Sequence, residues 1–122
     1  RKSNVNFLKN KISELKDDIL LPEAEINSDP FWVGFPIKIK DKSTVSRKSL
    51  IDKLTKKKVG TRLLFAGNLT KQPAYINKNF RISGDLKITD QIMSNTFWVG
   101  IQPALGEEEL TYTAKIIKES LV

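Results

Sequence analysis

The chain has 122 residues, 39% of them hydrophobic and 29% charged, which is material for one domain with one modest core. It has no cysteine and no histidine, excluding disulfides, thiolate nucleophiles, histidine bases and the usual zinc ligand sets, and no apolar run approaches the roughly 18 residues of a membrane span. Lys and Arg number 21 against 14 Asp and Glu, a net charge of +7 that favours anionic partners only where the charges converge.

The chain opens Arg1-Lys2-Ser3, with neither an initiator methionine nor an apolar signal stretch, which reads as a piece of a longer cytoplasmic protein. Leu8, Ile12, Leu15 and Ile19 recur at helical spacing ahead of Pro22 and predict a helix over 4–18. Phe31 to Lys40 is rich in aromatic and β-branched residues, starts as an apolar run and ends in alternation, so a strand is expected. Pro36 cannot donate to a ladder, which puts that part of the strand at an edge or a bulge. Ser46 reads as the N-cap of a helix over 46–57 that carries Leu50, Ile51 and Leu54 and ends in lysines before Gly60.

Thr61 to Phe65 predicts a short strand, followed by a loop over 66–73 containing Gly67, Asn68 and Pro73. A loop directly after a strand end is a frequent place for binding residues. Asp85 reads as the cap of a short helix with Leu86, Ile92 and Met93, and Thr96 to Ile101 as a third strand. Glu107, Glu108 and Glu109 suit a helix start, and Leu110, Ala114, Ile117 and Leu121 form the stripe of that last helix. The order α, β, α, β, loop, α, β, α indicates an α+β domain with a small antiparallel or mixed sheet covered on one face by helices.

Phe31-Trp32-Val33-Gly34 recurs as Phe97-Trp98-Val99-Gly100. Two core strands sharing one packing solution explain it, with aromatic bulk beside a glycine and both tryptophans largely buried. The functional alternative is that one tryptophan lines a pocket. Lys38, Lys40 and Lys42 alternate along a strand, and Lys53, Lys56, Lys57 and Lys58 crowd a helix C-terminus, where cations suit the macrodipole. These lysines read as a solvated surface; an anion-binding face is the alternative.

Catalytic patterns are missing. A serine or threonine nucleophile needs a base beside it, paired-carboxylate hydrolysis needs acids facing one another across a cleft, and phosphate-binding loops need grouped glycines. Here Gly60, Gly67, Gly84, Gly100 and Gly106 stand singly, and the densest acidic cluster is a helix start. What remains is Thr61-Arg62-Leu63-Leu64-Phe65-Ala66-Gly67-Asn68-Leu69-Thr70-Lys71-Gln72-Pro73, in which a fork-shaped cation precedes several neutral hydrogen-bonding groups. That suits phosphate and sugar hydroxyls, although Asn68 and Gly67 could equally serve a plain turn.

This segment, with Gly84-Asp85-Leu86, Thr89-Asp90 and Thr96-Phe97-Trp98-Val99-Gly100-Ile101 followed by Pro103, resembles the C-terminal part of the DegT/DnrJ/EryC1 sugar-nucleotide aminotransferase family, from about Asn6 to Leu121. The branch it resembles most is the CDP-4-keto-6-deoxyglucose 3-dehydrases of lipopolysaccharide and deoxysugar biosynthesis. The resemblance implies that residues 1–122 are the C-terminal small domain of a homodimeric pyridoxal-phosphate enzyme of the aspartate-aminotransferase fold. It implies a large domain of the same chain that holds the cofactor, through a lysine in most members and beside a histidine in the 3-dehydrases. No cofactor-binding, catalytic or metal-ligating residue is then expected in this segment. Arg62, Asn68 and Gln72 are the expected substrate-binding residues, positioning a nucleotide-linked sugar. A sugar-nucleotide aminotransferase is the alternative reaction. A basic nucleic-acid module is the alternative class, and it would need exposed tryptophans and converging lysines; neither nucleic acid nor membrane is the expected partner.

Overall fold

Residues 1–121 are described by a computed structural model. Helix α1 runs Lys2–Lys11 and turns its buried Val5 and Leu8 inward. It ends well before the expected boundary: Ile12 leaves helical geometry, a 3-10 turn follows at Ser13–Leu15, and Ile19 enters a two-residue strand, β1, Ile19–Leu20. The periodic spacing survives because Ile12 and Ile19 both reach the core, Ile19 from a strand.

Strand β2 is Phe35–Ile39, so Phe31 to Gly34 precede the ladder and Phe31 is exposed. Helix α2, Arg47–Lys56, is capped by Ser46, whose hydroxyl accepts from the Ser49 amide at 3.2 Å. Past its end Lys58 takes the left-handed region at φ 63°, two residues before Gly60. Strand β3 is Thr61–Leu63, a 3-10 turn occupies Leu69–Lys71, and helix α3, Lys87–Asn95, runs straight into β4, Thr96–Val99. Helix α4, Glu107–Leu121, starts with the Glu109 carboxylate accepting from the Gly106 amide at 2.9 Å.

The four strands are ordered β1-β2-β4-β3, each pair antiparallel. Pro36 therefore lies in an interior strand, yet β1 pairs only with Ile39 and Lys38, so on that side β2 is locally an edge at Pro36. Phe35, Ile37, Ile39, Phe97 and Val99 share the face covered by α1, α2 and α4, and join Leu8, Ile12, Leu50, Leu54 and Ile117 in one core. Each such large side chain contributes about 1.5–3 kcal/mol by leaving water.

Alternation along β2 and β4 sends Pro36, Lys38 and Trp98 to the opposite face. Trp32 and Trp98 each keep more than half of their surface from solvent, in line with the expected burial, and Trp32 packs against the core. Trp98 is less enclosed than its neighbour Phe97 because helices α1, α2 and α4 cover the opposite face of the sheet.

Candidate functional site

Strand pairing places Pro36, Trp98 and Arg62 in one row across the sheet, on the face opposite the core. The Trp98 indole lies against Gly34, where a Cβ would come within 2.9 Å of Cδ2, and its ring centroid is 5.4 Å from that of Phe65 at a 59° tilt. Phe65 is held there by a tight turn, its amide donating to the Leu63 carbonyl at 2.9 Å and its φ at 49°. Its side chain is 79% exposed. The glycine of the first Phe-Trp-Val-Gly copy thus receives the tryptophan of the second.

A groove of about 500 Å³ runs over this row, bordered by Val33, Gly34, Gly60, Arg62, Trp98 and Gly100. The Arg62 side chain is exposed and has no hydrogen bond or ion pair to another described residue. The Trp98 Nε1 is shielded and also lacks a partner among the described residues. Five guanidinium donors in a planar fork, bordering the same groove as the Trp98 ring, suit a phosphate or a carboxylate.

The loop after β3 is built differently. Asn68 is 2% exposed, and its side-chain oxygen accepts from the Thr70 amide at 3.0 Å and hydroxyl at 2.7 Å, capping the 3-10 turn. Its Nδ2 donates to Asp90 Oδ1 at 2.8 Å, while Lys71 Nζ donates to Asp90 Oδ2, also at 2.8 Å. Gln72 Nε2 donates to the Ala66 carbonyl at 2.6 Å. Asn68 and the Gln72 amide nitrogen thus close the loop on itself, whereas the Arg62 guanidinium makes no hydrogen bond or ion pair among the described residues. The Lys71 hydrogen bond, then that of Asn68, holds the Asp90 carboxyl below its ordinary value.

Asp90 stands in the Thr89-Asp90 part of the family motif, but its contact with Asn68, 22 positions away, has no local signal. Trp98 has a signal in the alternation of its strand, but which of Phe97 and Trp98 faces the helices is not local information. Among the described residues no cluster of three or more acidic, histidine or cysteine side chains could hold a metal, and no helix is long and apolar enough to cross a membrane.

The sequence model of the DegT/DnrJ/EryC1/StrS aminotransferase family matches residues 1–118. The chain is 46% identical over 119 residues to the lipopolysaccharide biosynthesis protein RfbH of Salmonella typhimurium, covering 98% of this chain and 27% of that protein. It is 37% identical over 119 residues to the dTDP-4-dehydro-2,6-dideoxy-D-glucose 3-dehydratase of Saccharopolyspora spinosa, covering 98% and 26%. The chain therefore spans about a quarter of the length of the curated relatives it matches. Its fold is shared with Escherichia coli GDP-4-keto-6-deoxy-D-mannose-3-dehydratase with bound hydrated PLP, at TM-score 0.82 and 20% identity over 95% of this chain and 29% of that one. DesI, solved in the presence of its TDP-sugar product, aligns at TM-score 0.85 and 14% identity over 98% and 30%.

Proposed function

The chain belongs to the DegT/DnrJ/EryC1/StrS aminotransferase family, and from that premise we propose that residues 1–122 are the C-terminal small domain of a cytoplasmic, homodimeric, pyridoxal-phosphate-dependent 3-dehydrase acting on CDP-4-keto-6-deoxyglucose in lipopolysaccharide or deoxysugar biosynthesis. The domain would close over a cofactor-bearing large domain of the same chain and complete the substrate pocket. Identity to a lipopolysaccharide biosynthesis protein and to a sugar 3-dehydratase supports this branch over a sugar-nucleotide aminotransferase.

The observation that carries the reading is the guanidinium of Arg62, unpaired among the described residues, on the border of the groove it shares with Trp98. In the proposed pocket Arg62 makes a charge-assisted contact to the phosphate of the nucleotide-linked sugar, while Asn68 and Gln72 keep the adjoining loop in the shape that borders the sugar. The groove does not fit the cofactor itself. Its border offers neither a lysine for a Schiff base nor a carboxylate for the pyridine nitrogen, so no chemical step is assigned to this chain.

Replacing Arg62 by alanine in the full-length enzyme tests the reading. Loss of one charge-assisted hydrogen bond of about 1.5–3 kcal/mol lowers kcat/KM roughly ten- to hundredfold. The melting temperature should stay within about 2 °C, since an exposed, unpartnered side chain contributes little to folding. Unchanged efficiency, or a melting loss large enough to account for the defect, would refute the role.

A further inference from the structure

Helix α3 contributes no fully buried residue to the core, yet it sits where three structural requirements meet. Its fourth residue, Asp90, uses both carboxylate oxygens on the loop that follows β3: Oδ1 accepts from Asn68 and Oδ2 from Lys71, each at 2.8 Å. Met93, three residues on and so on the same side of the helix, meets the same loop. Its sulfur lies 3.3 Å from the Asn68 amide nitrogen, and its side chain fills the space where Gly67 would carry a Cβ. Gly67 has φ +64°, so at that position the backbone takes a shape that only glycine adopts without strain, and Met93 covers it. At its other end α3 passes directly into β4, whose Trp98 stands beside Arg62. One short helix thus grips the loop with Asp90 and Met93 and continues into the strand that floors the groove.

We propose that Asp90 is a positioning residue for substrate recognition, acting through Asn68 and Lys71 to hold the segment 66–72, which follows Phe65, the residue whose ring packs on Trp98 of the Arg62 groove. The assignment rests on the proposed substrate role of that groove. Three features separate it from an ordinary surface ion pair. Its Asn68 partner is buried, both carboxylate oxygens are used by the same segment, and the Asn68 oxygen opposite that arm caps the 3-10 turn through Thr70. Removing the carboxylate would leave a buried amide N–H without an acceptor, so the turn and its cap would loosen together. Lys71 contributes the outer, exposed arm, and its removal alone should have the smaller effect.

The test uses the full-length enzyme with its cofactor bound. Asp90→Ala should raise KM for the nucleotide-linked sugar roughly tenfold, about the weight of one charge-assisted hydrogen bond, with kcat reduced less than KM is raised. The cofactor absorbance spectrum should not change. Amide exchange should accelerate at 66–72 and remain at the wild-type rate in β2, β4 and α4. Asp90→Glu should recover part of the KM, and Asn68→Ala combined with Asp90→Ala should be no worse than the poorer single variant, because both cut the same link. If Asp90→Ala does not fold, Asp90→Asn, which keeps an acceptor for Asn68 and removes the charge facing Lys71, should raise KM and speed exchange at 66–72 by less than the amounts given for Asp90→Ala, and no change in either would overturn the proposal.

Unchanged KM and unchanged exchange at 66–72 would overturn the proposal, as would faster exchange throughout the core, which marks a general structural role. Arg62→Ala, run in parallel, keeps the two readings apart. A KM effect of Asp90→Ala with none from Arg62→Ala would retain the latch and remove Arg62 from recognition. The opposite pattern would retain Arg62 and remove Asp90.

Discussion

Gly34 immediately precedes β2 and is buried, and a methyl group there would stand 2.9 Å from Trp98 Cδ2 and 3.1 Å from Cζ3. Carbon atoms in contact settle at about 3.5–4.0 Å, so Gly34→Ala forces either the indole or the entry of β2 to shift. The indole is a rigid bicycle on a strand paired on both sides, with Phe65 against it, and it has no free end that can swing away. Overpacking of this kind costs about 1–3 kcal/mol, and the lower chain entropy of unfolded alanine returns about 0.4–1 kcal/mol. The net destabilisation is then about 1–2 kcal/mol. In urea, with a slope of about 1.5 kcal/mol/M, the midpoint should fall by about 1 M at unchanged slope. The cause is checked with Trp98→Leu, in whose background Gly34→Ala should cost little, because the obstructing ring is gone. A Gly34→Ala chain as stable as the wild type, or a penalty undiminished once the indole has been removed, would refute the packing argument.

Phe97→Ala removes a fully buried ring from the junction of the sheet and the helices, and chemical denaturation should show a loss of about 3–5 kcal/mol. Trp32 and Trp98 are partly buried, Trp32 against the core and Trp98 on the outer sheet face, so tryptophan emission should be moderately blue-shifted and iodide should quench a minor part of it; quenching as complete as for free tryptophan would contradict that placement. The Asp90 carboxyl is depressed in the folded state, chiefly by its hydrogen bond with Lys71, so its contribution is present above the unfolded value near pH 4 and is lost as pH falls through the folded value. Amide protection at 66–72 should therefore decline below about pH 4 in the wild type, whereas Asp90→Ala should already lack that protection at neutral pH and show no such transition.

Elements whose signals are local are legible from the residues alone. Ser46 and the Glu107 to Glu109 run mark helix starts because capping and dipole effects act within a single turn, and helices α2 and α4 begin within one residue of where those signals lie. Arg62 is visible in the same way, as a cation on a short strand, and the family motifs around it are contiguous. Periodicity overextends helix α1 because Ile12 and Ile19 keep helical spacing even though the chain turns between them; the spacing registers which side chains are buried without registering the path that buries them. The facing of Trp98 depends on the assembled layers: neighbouring residues of a strand point to opposite faces, and only the docking of α1, α2 and α4 decides that Phe97 is the inner one. The placement of Asn68 has the same origin. Its side chain could face a ligand or the protein interior with identical local sequence, and it turns inward because α3, supplied from 22 residues further along, brings Asp90 to meet it.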